Sequence, residues 1–134
     1  MNRFTAVISA CAFLIGCTGT IVSPPEVSVI PQPSSVEVME GSFRLTANTQ
    51  ANFLYEAPEL EYVALALEDI TEDIFGEGIK MNLTSLDASH GINFLLDESI
   101  PEEGYILEVA QKTIDIASST ASGAFYALQT LRQL

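Results

Sequence analysis

One histidine, His90, stands in Asp87-Ala88-Ser89-His90-Gly91. Acid, hydroxyl and imidazole are the three groups of a nucleophilic triad. A triad works because its members converge from separate elements: the imidazole takes the hydroxyl proton while the acid holds the other ring nitrogen. Neighbours along one polar loop do not converge in that way, so His90 reads as an ordinary loop histidine. A zinc centre needs several His, Cys or carboxylate ligands at set spacings, and neither His-Glu-x-x-His nor Cys-x-x-Cys occurs. Glycoside hydrolysis by paired carboxylates needs two acids across a sugar-binding cleft. Asp97-Glu98 and Glu102-Glu103 are adjacent loop acids instead, in a chain without tryptophan to stack on a sugar. Glu68, Asp69, Glu72 and Asp73 share the polar face of one helix. Side chains splayed from a helix do not wrap a cation, so these acids read as a solvated face. Gly76-Glu77-Gly78 is a helix stop and not a phosphate cradle. The chain thus offers no catalytic residue, no metal ligands and no cofactor-binding residue, and no cofactor is expected.

The elements that would position such groups are legible from hydropathy. Val36-Glu37-Val38-Met39 alternates as a half-buried strand, Glu40-Gly41 turns, and Ser42-Phe43-Arg44-Leu45 returns, a pattern that predicts a hairpin. Residues 46–55 are polar and indecisive. Pro58 suits the first helical position, and Val63, Leu67, Ile70 and Ile74 then recur at helical spacing up to Gly76. Residues 91–96 read as a strand. Tyr105 to Val109 and Thr113 to Ala117 read as a pair of strands joined at Ala110-Gln111-Lys112. Ser118, Ser119 or Thr120 can cap a last helix, in which Phe125, Leu128 and Leu131 share a face expected to pack on the sheet. Strands grouped in hairpins with two helices predict an α+β domain: a small mixed or antiparallel sheet with two helices packed on one face.

The first residues read as an export leader. Met1-Asn2-Arg3 is a short cationic start, and Ala6 to Ile15 is an apolar run too short to span a bilayer. It ends in Leu14-Ile15-Gly16-Cys17, which resembles the lipobox of bacterial lipoproteins. That resemblance implies cleavage before Cys17 and acylation of its thiol, hence a membrane partner through a lipid anchor at Cys17 and a cell-envelope location. Residues 1–16 are then the signal peptide, and 17–27 a tether whose Pro-rich composition runs on to Pro33. Cys11 leaves with the leader, so no disulfide is expected. Loss of Arg3 takes the formal charge from −13 to −14. That balance argues against nucleic acid as a partner and against simple adhesion to anionic lipid.

Ile30-Pro31-Gln32-Pro33, Glu40-Gly41-Ser42-Phe43, Glu103 to Val109, Ile114 to Ser118 and, above all, Gly123-Ala124-Phe125-Tyr126-Ala127-Leu128-Gln129-Thr130-Leu131-Arg132-Gln133-Leu134 carry a further likeness. Together they resemble the small N-terminal domain of family 20 glycoside hydrolases, the β-N-acetylhexosaminidases, over about residues 28–134. Ala127 stands where many relatives have Gly. The resemblance implies a zincin-like α+β domain without the zinc centre, followed by a catalytic (β/α)₈ barrel beyond Leu134. In that family the barrel carries an Asp-Glu pair and works with the substrate's own acetamido group, so a glycan substrate is met only through the barrel. The expectation is therefore an accessory domain of a membrane-anchored hexosaminidase, in a truncated chain that is itself non-catalytic. A domain preceding an O-GlcNAcase or α-glucuronidase barrel, or a stand-alone surface binding module, is the alternative. Residues 131–134 are expected to be a frayed cut edge exposing apolar surface.

Overall fold

The computed structural model describes residues 28–38, 41–83 and 87–134. The leader, the tether and Cys17 lie outside the described residues. Seven elements follow among those described: β1 (Gln50–Phe53), α1 (Leu60–Phe75), β2 (Lys80–Asn82), β3 (Gly91–Leu96), β4 (Ile106–Val109), β5 (Thr113–Ser118) and α2 (Ala121–Leu131). The strands form one sheet in the order β2-β1-β3-β5-β4. β2, β1, β3 and β5 run parallel, and β4 runs antiparallel to β5. Parallel neighbours need a crossover where antiparallel ones need only a turn. α1 supplies that crossover between β1 and β2, while β4 turns tightly into β5 with Ala110 N–H donating to Thr113 O at 2.9 Å.

Both helices pack on one face of the sheet, so the α+β expectation holds. Strand residues two apart share a face. Ala51 and Phe53, Ile92 and Phe94, Ile114 and Ile116 all turn to the helices and are buried. Phe53 and Phe94 are register partners, and their rings stack with centroids 4.4 Å apart. Leu60, Val63, Leu67, Ile70 and Thr71 of α1 close over this row. Ile74 falls off the expected stripe and is 56% exposed. The helix begins at Leu60, two residues after the expected start, because Pro58 and Glu59 lie in a lead-in turn whose carbonyls accept from Glu61 and Tyr62. Gly76 ends it at φ +77°, a left-handed backbone that glycine adopts without strain, and its N–H donates to Glu72 O.

α2 differs from expectation in the face it buries. Gly123, Ala124, Ala127, Leu128 and Thr130 are inside, and Phe125 is 39% exposed. The reason is close approach. A Cβ on Gly123 would sit 2.2 Å from Gly104 O, so the helix lies against the 101–104 loop through its smallest residues, and the large ring turns outward. Thr120 caps the helix, as one of the three candidates, by accepting from Gly123 N–H at 3.3 Å.

Among the described residues of the expected 36–45 hairpin, none lies in a strand. Met39 and Glu40 lie outside the described residues, and the flanking described residues pair with no strand. Val36 and Val38 are 50% and 44% exposed, whereas Phe43 and Leu45 rest on the core from an irregular segment. β1 and β2 occur instead where no strand was predicted.

The opposite face of the sheet carries a polar row. Register sets Asn82, Asn52, Asn93, Asp115 and Glu108 side by side across all five strands. The side-chain amides point the same way: Asn82 Nδ2 donates to Asn52 Oδ1 at 2.8 Å, Asn52 Nδ2 to Asn93 Oδ1 at 3.0 Å, and Asn93 Nδ2 to Asp115 Oδ1 at 2.6 Å. Asn52 and Asn93 also donate to His90 O and Ala88 O, which holds the loop before β3 against the sheet. Asn93 is fully buried and every one of its polar atoms is engaged, as burial of an amide requires.

Candidate functional site

The residues that could have formed a triad lie together but in the wrong order. Asp87 accepts from Ser89 N–H at 2.8 Å, and Ser89 Oγ meets His90 Nδ1 at 2.9 Å. A triad needs the acid on the imidazole; here the acid is on the serine, and all three residues are exposed. Contact with the Ser89 hydroxyl and N–H, with His90 nearby, holds the Asp87 carboxyl below the usual carboxylate range. Asp97 is lowered in the same way by the Ser99 hydroxyl and N–H. Both are loop-turn contacts at the surface. Glu68, Asp69, Glu72 and Asp73 are all exposed, and Asp73 meets Arg132 at 3.4 Å. Among the described residues no group of His, Cys, Asp and Glu is placed to hold a metal ion.

One buried polar pair lies above the C-terminal ends of β1 and β5. Tyr55 Oη and Ser118 Oγ are shut from solvent, and neither reaches a hydrogen-bond partner at proper geometry. Burial pushes the Tyr55 phenol above its ordinary value of about 10, and the nearby Ser118 hydroxyl offsets part of that rise.

The feature that stands out lies outward of the helices. The helices run the same way: residues at the start of α1 meet the start of α2, and Asp73 near the end of α1 meets Arg132 after α2. Between their first turns lies a groove of about 300 Å³, lined by Glu59, Tyr62, Val63, Ala121, Ser122, Phe125 and Tyr126. Tyr62 is 73% exposed and Tyr126 45%. The Phe125 and Tyr126 rings meet edge to face at 6.2 Å. Tyr126 also walls a second hollow of about 260 Å³ with Pro31, Glu103, Tyr105, Gln129 and Gln133, where Tyr105 Oη and Thr130 Oγ1 are 2.6 Å apart. Tyr62, Phe125 and Tyr126 thus gather on the outward side of the helical layer. Sequence reasoning missed it by placing Phe125 inside. The signal was the small residues Gly123, Ala124 and Ala127, whose face permits close approach and leaves Phe125 and Tyr126 on the other side. Arg132, Gln133 and Leu134 N–H groups donate to Leu128, Thr130 and Leu131 carbonyls, and Leu134 is 63% exposed.

A five-stranded mixed sheet with two helices packed on one face defines an α+β domain. Residues 26–134 match Glycosyl hydrolase family 20, domain 2, and the chain belongs to that family. It is 34% identical over 112 residues to a beta-N-acetylhexosaminidase of Cellulomonas fimi, covering 81% of this chain and 22% of that one. It is 28% identical over 144 aligned positions to a beta-hexosaminidase of Porphyromonas gingivalis, covering 100% of this chain and 18% of that one. The structure of the GH20 beta-N-acetylhexosaminidase from Streptomyces coelicolor A3(2) superposes with a TM-score of 0.71 at 30% identity, over 84% of this chain and 22% of that one. The chain therefore spans about a fifth of the length of the relatives it matches.

Proposed function

We propose that this chain is the accessory domain of a β-N-acetylhexosaminidase that removes terminal N-acetylhexosamine residues, with the chemistry on a (β/α)₈ barrel following α2. The match of residues 26–134 to domain 2 of the family, within relatives about four to six times as long, carries this reading. The aromatic groove fits it: Tyr62, Phe125 and Tyr126 present an apolar face on the helical side, where a following domain could cover them. A barrel of about 250 residues fits comfortably in the length of those relatives. The test pairs two chains expressed from one gene. The 134-residue chain leaves a chromogenic N-acetylglucosaminide intact, and the chain extended through the downstream reading frame cleaves it. Turnover by the short chain, or a stop codon after Leu134 in the gene, refutes the assignment.

The membrane anchor belongs to the same proposal and rests on the Leu14-Ile15-Gly16-Cys17 pattern. An acylated Cys17 would place the enzyme in the cell envelope, held by chains worth about 0.8 kcal/mol per buried CH₂. Cys17→Ser is expected to abolish lipid labelling and shift the protein to the soluble fraction. Membrane retention without label would mean an uncleaved apolar leader instead.

A further inference from the structure

Gln133 and Ile30 are separated by 103 positions and share a two-point contact. Ile30 N–H donates to Gln133 Oε1 at 2.9 Å, and Gln133 Nε2 donates back to Ile30 O at 2.9 Å. The carboxamide pairs with the N–H and C=O of Ile30 as a residue of a neighbouring strand would, one donor and one acceptor at once. Nε2 also donates to Gln129 O at 3.0 Å, so the side chain stays aligned with the last turn of α2. On either side of this contact the segment behaves as a strap. Val29 is 5% exposed and packs inward, Ile30 turns its side chain out at 81%, and Pro31 walls the hollow beside Tyr126 and Gln129.

We propose that Gln133 is a clasp through which the last turn of α2 and the segment entering the domain hold each other in place. The last turn is a natural partner for such coupling. The final carbonyls of a helix lack intrahelical partners, and its end opens more readily than its middle. A side chain that bridges this turn to the strap makes opening of one favour opening of the other. Linkage requires the effect to be reciprocal. Where a further domain follows α2, order at that junction would then set order where the chain enters, so both ends of the domain move as one unit.

Amide exchange by NMR on the full 134-residue chain tests both directions. Gln133→Ala is expected to speed exchange at Ile30 by about 10-fold, given two lost bonds of ordinary strength. Val29→Ala, which loosens the strap without touching the clasp, is expected to speed exchange at Gln133 and Leu134 severalfold. Amides at Ala127 and Leu128 should keep their protection in both variants. An unchanged Ile30 in the first variant or an unchanged last turn in the second overturns the clasp. Acceleration spread evenly through α2 and the sheet also overturns it, because the strap would then be part of the cooperative core. Neither glycan nor barrel enters the measurement, so its outcome is separate from that of the accessory-domain reading.

Discussion

Asn93→Asp is the sharpest probe of the polar row, because it changes one buried group and almost no volume. Asn93 Nδ2 donates to Ala88 O and to Asp115 Oδ1, the latter at 2.6 Å. An ionised carboxyl there loses both donations and faces a second carboxylate at hydrogen-bond distance, at a position with no exposure. Desolvation and like charge both raise its pKa, together by about 3 units from an ordinary value near 4. The sign follows. A folded-state pKa raised above the unfolded one gives stability that is present below the unfolded value and lost as pH rises through the folded one. The deficit against wild type is therefore about 4 kcal/mol at pH 8 and about 1.5 kcal/mol at pH 5, at 1.36 kcal/mol per unit. The protonated form recovers a donor for Asp115, which favours the lower figure. Urea unfolding at the two pH values measures both deficits. Asn93→Leu is the control: it destabilises by a similar amount at either pH. An Asn93→Asp deficit that is equal at pH 5 and pH 8, or smaller than about 1 kcal/mol at pH 8, would refute the buried, directional row.

Phe125→Ala is expected to cost about 1–2 kcal/mol, less than a fully buried ring because Phe125 is 39% exposed, while Leu128→Ala costs about 2–5 kcal/mol; chemical denaturation of the two variants separates the half-exposed face of α2 from the inward one. Tyr55→Phe removes a buried hydroxyl whose one neighbour, the Ser118 hydroxyl, is poorly aligned, so stability at pH 7 should change by less than about 1 kcal/mol. Because burial raises the phenol pKa, wild type holds that contribution below pH 10 and loses it as pH rises through the folded value. Unfolding followed from pH 8 to pH 11 should therefore fall less steeply in Tyr55→Phe, and equal slopes would contradict the buried phenol.

Most of the helix-side architecture could be read from hydropathy alone. β3, β4, β5 and both helices lie within a residue or two of their expected limits, since their apolar residues recur at the period of the element. β1 escaped notice for a physical reason. Its outward residues are Gln50 and Asn52, and asparagine is depleted in strands, yet Asn52 is buried in the amide row. Polar and apolar residues do alternate along it, but over only four residues, and its inward Ala51, like Asn52, is a weak strand former. The row itself could not be found in sequence, because residues 52, 82, 93 and 115 are neighbours only through register. The groove was missed for the opposite reason: Phe125 looked like core, and the identity of α2's inner residues is set by the close pass of Gly123 over Gly104 O.

The parallel course of the two helices has an electrostatic consequence. Each helix carries partial negative charge at its C-terminal end, so the two ends of like sign lie together. Asp69, Glu72 and Asp73 stand at this same pole, with Arg132 the cation that meets Asp73 there. Fixed dipoles and side chains repel one another at that end of the molecule. Added salt screens this repulsion over a Debye length of about 10 Å at 0.1 M. Ionic strength should thus tighten the domain's helical layer, the reverse of what it does to a fold held by surface ion pairs.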